Sequence, residues 1–259
     1  MNTKKKYSES NLTLLTPIYN TNIFYLKEHY RSIKNFPNMK KIYWNDGITC
    51  KKTLSILYDK IGKLPNVQIF MNQTNMGQAS TIYNLSNLKE IETDYVIRID
   101  ADDILHELPK SVNNIFDVLF IKKTAKDVKT LITNGGGPNG SIFKKEIFKD
   151  LLKDHNNLKK YLNYINEDVW FLLNLLIPIY QGKNLFNIQN VINKNKITTR
   201  NLHKLQVTHN KTVSRYQHRM NTLMLRSLHY NDFITYKKIL IETIGYDEIM
   251  KKRNEIITY

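Results

Sequence analysis

Apolar residues recur along the first hundred positions in two alternating rhythms. Short runs rich in β-branched, aromatic and leucine residues occur at Leu12 to Thr16, Lys40 to Trp44, Val67 to Met71 and Tyr95 to Ile99, and runs of this length and make-up predict buried strands. Between them the apolar residues fall three and four apart. Ile23, Leu26, Tyr30 and Ile33 form one such set, and Leu54, Leu57, Tyr58 and Ile61 another, each of which would share one helical face. Strands alternating with helices predict βαβ units, hence an α/β fold with a mainly parallel sheet flanked by helices. Further on, the pattern predicts a helix from Pro109 to about Phe120, a strand at Lys129 to Thr133, a strand or turn at Ser141 to Phe143 and then another helix. A glycine-rich loop, Asn134 to Gly140, separates the two strands, and from about Lys211 the pattern is helical. This divides the chain into residues 1–105, 106–182 and a mainly helical remainder, 183–259.

In parallel sheets of this kind ligands bind beyond the carboxyl ends of the strands. The polar clusters fall there. Thr16-Pro17-Ile18-Tyr19-Asn20, Asn45-Asp46-Gly47, Asn75-Met76-Gly77 and Asp100-Ala101-Asp102-Asp103 each follow a predicted strand. Three carboxylates in four residues repel one another unless a cation is near. Hard oxygen ligands on a tight turn suit Mg2+ or Mn2+ already bound to phosphate oxygens, although a solvated turn with a helix cap at Asp103 would look the same. Asp46 would either hydrogen-bond a nucleobase or ribose or make an Asx turn before Gly47, and Asn75 and Gly77 carry the same two readings. Glu167 and Asp168 stand before the apolar run Val169 to Leu173. Acids there cap a helix, yet a carboxylate against an apolar wall is also suited to act as a general base.

Taken in order, these clusters resemble a family 2 inverting glycosyltransferase of the GT-A fold, over Leu12 to about Leu175. The resemblance implies that Thr16, Pro17, Tyr19, Asn20, Asp46, Asn75 and Gly77 bind the nucleotide-sugar donor. It further implies that Asp100 serves the ribose and, with Asp102, the metal and diphosphate, and that Asp168 or Glu167 deprotonates the acceptor hydroxyl. Lys144 would lie near phosphate, and UDP is the nucleotide that the family favours. The chain departs from the family's Asn-x-Gly-x-x-x-Ala-Arg-Asn run, reading Asn75-Met-Gly77-Gln-Ala-Ser-Thr-Ile-Tyr83-Asn84, and lacks its arginine after the Glu-Asp pair.

Charge adds a second theme. The chain carries 39 Lys and Arg against 23 Asp and Glu, and the excess is uneven. Between Val169 and Tyr230 there are nine basic residues, four histidines and no carboxylate. A helix from Lys211 would align Lys211, Arg215, Arg219 and Arg226 in one stripe. Such a stripe suits a polyanion, either DNA with a modified base as acceptor or an anionic membrane bearing a lipid-linked saccharide; a solvated face would look alike. His203 and His209, in the same stretch, would add a metal ligand or simply be exposed. A class-level alternative is a non-catalytic nucleic-acid-binding protein on the same scaffold.

At 41% hydrophobic and 24% charged, the composition is that of a folded chain rather than a disordered one. The single cysteine, Cys50, excludes an internal disulfide framework and fits a reducing compartment. The apolar run after the basic amino terminus breaks at Pro17, and Val169 to Tyr180 is too short to span a bilayer. A cytoplasmic protein is expected, peripheral on membrane or nucleic acid through its basic stretch.

Overall fold

Strands β1 (Leu12–Ile18), β2 (Lys40–Asp46), β3 (Val67–Asn72) and β4 (Tyr95–Arg98) form one parallel set in the order β3-β2-β1-β4. The computed structural model describes residues 7–109, 118–122, 139–152, 188–192 and 198–200, all within one of the two compact units into which the chain divides. The sheet continues through β7 (Ile142–Lys144), antiparallel to β4, and then β6 (Val118–Lys122) and β8 (Ile188–Ile192), which are parallel to each other. Two short antiparallel strands, β5 (Asp103–Leu105) and β9 (Thr198–Arg200), make a second sheet. The α/β class expected from the alternating rhythm is therefore what the chain adopts.

β1 and β2 run two residues beyond their apolar runs, into the polar clusters at Pro17–Ile18 and Asn45–Asp46, whereas β4 stops at Arg98, before the aspartate turn. β1 is buried at every position but Pro17, as a central strand covered on both faces should be. Proline is tolerated there because β4 pairs only with Leu12 to Leu15, so the ring lies past the end of that ladder. The helices are α1 (Ile23–Ile33), α2 (Lys51–Ser55), α3 (Gln78–Ser86) and α4 (Lys145–Leu151). Asn22 caps α1, its side chain accepting from the Phe24 N–H at 2.9 Å. The pattern's single helix through Leu54 and Ile61 is broken in pitch: α2 passes into a wider π-helical turn at Ile56–Lys60 and then a tighter turn at Ile61–Lys63.

One expectation fails. Val118 to Phe120, assigned above to the end of a helix, belong to strand β6, because this short apolar run pairs with Ile188–Ile192 on one side and with β7 on the other. Periodicity alone does not separate a buried strand from a buried helical turn.

The buried face of α1 is also rotated from the apolar one. Leu26, His29, Ser32 and Ile33 point inward. His29 Nδ1 lies 2.7 Å from the backbone carbonyl of Asp103, and its Nε2 lies 2.9 Å from the Tyr43 hydroxyl. A carbonyl only accepts, so Nδ1 carries the proton and Nε2 accepts from Tyr43. Ser32 Oγ in turn accepts from the Leu105 N–H at 3.2 Å. These bonds fasten α1 to the start of β5, directly after the aspartate turn.

Burial holds the His29 imidazole down to about 4, outweighing the opposing pull of the Asp103 carbonyl and the Asp100 charge. In the unfolded chain it titrates near 6.5. Between those values the unfolded chain binds a proton that the folded one does not, so stability falls as pH drops through the window and levels off below it. One proton over that interval is worth roughly 3 kcal/mol. Urea unfolding at a series of pH values from about 7 to 4 should show this loss in the wild type, and a shallower one in His29→Gln.

Candidate functional site

Loops after β1, β2, β3 and β4 converge at the carboxyl edge of the sheet on a pocket of about 430 Å³. Its walls include Pro17, Tyr19, Asp46, Asn75, Asp100 and Asp102 among the residues singled out above, with Tyr25, Gln78 and Thr81 beside them.

Asp46 is the most firmly fixed of these. It is 3% exposed at the end of β2, and its Oδ1 accepts from Asn72 Nδ2 and from the Met76 N–H, both at 2.8 Å. The Asx turn considered for Asp46 is not what its Oδ1 makes; the local side-chain bond at this turn is its neighbour's, with Asn45 Oδ1 accepting from the Ile48 N–H, three residues on, at 2.8 Å. Both Asp46 bonds are to Oδ1, and the residue also lines the pocket. Gly47, at φ +69°, lets the chain turn away beneath the next loop: an added Cβ would stand 2.5 Å from both Thr74 C and Asn75 N. Asn75 Oδ1 accepts from the Gly77 N–H at 2.8 Å, and Gly77 itself, at φ +84°, opens α3.

The aspartate turn follows β4. Ligand oxygens of Asp100, Asp102 and Asp103 all lie within 4.8 Å of one another. Asp100 Oδ1 is held by Arg98 Nη2 at 2.8 Å and by Gln78 Nε2 at 3.3 Å. Asn139, the end of the glycine-rich segment, grips both ends of the turn: its Oδ1 accepts from the Asp100 N–H at 3.1 Å, and its Nδ2 donates to the Asp103 carboxylate. Asp102, partly exposed and on the pocket wall, has the carboxylate best presented to solvent. This donor set fits a hard divalent cation.

Other named residues are placed differently. Thr16 is fully buried in β1 and does not line the pocket. Asn20, at φ 40°, ties the loop after β1 to the loop after β2, its Oδ1 accepting from the N–H groups of Thr49 and Cys50 at 3.0 Å each. Lys144 is not brought to the pocket, because the antiparallel register sets it opposite Tyr95, at the amino end of β4, while the pocket lies beyond the carboxyl end. Glu167, Asp168, His203, His209, Lys211, Arg215, Arg219 and Arg226 lie outside the described residues. Sequence reasoning missed Arg98, Asn139, Gln78 and His29. Of these only Arg98 left a signal, a charge inside the apolar run Tyr95 to Ile99.

No protein-family model matches the chain, and no curated protein sequence matches it. Solved structures that resemble it include S. aureus TarS 1–349 in complex with UDP-GlcNAc, at TM-score 0.47 and 18% identity, covering 72% of this chain and 57% of that one. Another is the mannosyltransferase PcManGT from Pyrobaculum calidifontis in complex with GDP-Man and Mn2+, at TM-score 0.46 and 11% identity, covering 96% of this chain and 81% of that one. A third is 4-diphosphocytidyl-2C-methyl-D-erythritol synthase from Anaerococcus prevotii, at TM-score 0.44 and 10% identity, covering 72% and 90%. The alignment spans 35% of the longer TarS chain. At such identities and scores the similarity assigns no activity or ligand to this chain. No helix among the described residues is long and apolar enough to cross a membrane.

Proposed function

We propose that this protein is a metal-dependent inverting glycosyltransferase that takes a sugar from a nucleotide-diphosphate donor, UDP being the favoured nucleotide. The observation that carries the reading is the convergence of Asp46, Asp100 and Asp102 on one pocket at the carboxyl edge of parallel strands. A pocket walled by carboxylates repels a diphosphate unless a divalent cation stands between them. Asp102 and Asp100 would hold Mg2+ or Mn2+, which when bound neutralises the charge developing on the departing nucleoside diphosphate. Asp46, fixed by Asn72 and Met76, orients the nucleoside through its remaining oxygen. Pro17 and Tyr19 supply the apolar wall against which a base can lie.

Asp168, or Glu167 beside it, is the proposed base for the acceptor hydroxyl. Its replacement separates transfer from donor binding: Asp168→Ala should abolish release of nucleoside diphosphate while UDP with Mn2+ still raises the melting temperature. Loss of both in that variant would count against the assignment.

The acceptor is a base in DNA or a glycan or lipid-linked saccharide, each matching the basic stretch 169–230. Mass spectrometry of nucleosides from DNA incubated with the enzyme and a panel of donors decides between them. A sugar-shifted nucleoside establishes DNA, and transfer confined to a saccharide or lipid acceptor excludes it. The same basic stretch favours one other reading, a nucleic-acid-binding protein without catalysis. That reading stands if the wild type releases no nucleoside diphosphate from any donor.

A further inference from the structure

Arg98 is the largest fully buried side chain among the described residues. It is the last residue of β4, in register with Leu15 of β1, and its carbonyl accepts from the Gly140 N–H at 2.7 Å. A guanidinium 1% exposed is costly unless its charge is balanced. The balance comes from Asp100, whose Oδ1 stands 2.8 Å from Nη2. That carboxylate belongs to the three whose ligand oxygens gather within 4.8 Å, so a fixed guanidinium pairs with one acid of a three-acid turn. Asp100 is also a pocket residue, and Gln78 of α3 touches the same oxygen as Arg98. The guanidinium therefore fixes which way this carboxylate faces.

We propose that Arg98 is the resident counter-ion of the aspartate turn. It is a positioning residue that orients Asp100 on the pocket wall before a divalent cation arrives, and it sets how tightly the turn takes one. The inference rests on the donor-and-metal reading for what the cation is used for; the charge balance itself does not depend on the sugar or the nucleotide. Two consequences follow from electrostatics. Without Arg98 the three acids repel one another and the turn is held together only when a cation is supplied. With Arg98 present, an incoming ion meets a fixed positive charge beside one of its ligands, which weakens its binding.

Thermal unfolding of the full chain across a Mn2+ series, without nucleotide, tests this. The wild type should gain little from the ion. Arg98→Met should melt lower in its absence, recover most of the loss when Mn2+ is added, and reach half-effect at about one tenth of the wild-type concentration. A melting temperature and Mn2+ midpoint equal to those of the wild type would overturn the proposal. If Arg98→Met does not fold, the pair is tested through Asp100→Asn, which should also melt lower because it removes the charge that balances Arg98. Arg98→Met/Asp100→Asn should then melt above Arg98→Met, restoring a fold where the single variant had none. A double variant as unstable as the two losses added together overturns the proposal. Addition of UDP to wild type with Mn2+ is the separate arm: absence of a further shift there counts against the donor reading, whereas the ion series and the double variant bear on Arg98 alone.

Discussion

Asp102→Ala is expected to lower metal-dependent release of nucleoside diphosphate by about a thousandfold or more. The reason lies in how the three acids of the turn are occupied. Asp100 Oδ1 is engaged by Arg98 and Gln78, and the buried Asp103 carboxylate is held by Asn139. Asp102 is the acid of the turn that is partly exposed and on the pocket wall, so its removal would take the most accessible ligand from the proposed cation while leaving the Arg98–Asp100 and Asn139–Asp103 bonds in place. The variant should fold and lose the stabilisation that UDP with Mn2+ provides. Turnover measured with saturating donor over a Mn2+ series checks this, and activity within tenfold of wild type would remove Asp102 from the metal site.

The second large effect concerns the backbone. Gly47→Ala should destabilise the protein by roughly 2–4 kcal/mol, since it combines a left-handed backbone with a direct collision. Its Cβ would meet main-chain atoms of Thr74 and Asn75 at 2.5 Å, and main chain yields less readily than a flexible side chain. The loop forced away is the one whose Met76 N–H fixes Asp46, so donor binding should weaken along with stability. Urea unfolding gives the first quantity, and the Kd of UDP with Mn2+ gives the second. A variant that loses stability with an unchanged Kd would show that Asp46 does not need the Met76 bond.

The parallel core was legible because a strand buried on both faces writes itself as an apolar run, and a helix on its surface as a three-and-four spacing. The polar clusters were legible for a related reason: in this topology the residue after each strand faces the ligand edge. Other features left no local trace. His29 stands three residues after Leu26 and four before Ile33, on the spacing of the buried face, but a polar side chain there gives no apolar signal, and its importance comes from Asp103 and Tyr43, 74 and 14 residues away. Asn139 lies at the end of a glycine-rich segment and reaches Asp103, 36 residues back, through contacts that only the sheet order creates. Lys144 illustrates the opposite error. The sequence shows a lysine following a strand, but not that the strand runs antiparallel to β4, which sends that end of it to the far edge of the sheet. Val118 to Phe120 were misread because a short apolar run fits either period.

The position of β7 also bears on how the molecule can be divided. β4, the strand that delivers the aspartate turn, is paired on one side by β1 and on the other by β7, about 45 residues later in the chain. A fragment ending near residue 105 would keep every acid of the pocket yet expose a whole edge of β4, an uncharged run but for Arg98, to any other strand in solution. Such an edge invites association between molecules rather than folding within one, and it would also lose Asn139, which holds the turn closed. Residues 1–105 are contiguous in sequence without being autonomous as a folding unit, so grafting or truncation has to carry the later antiparallel strand with them.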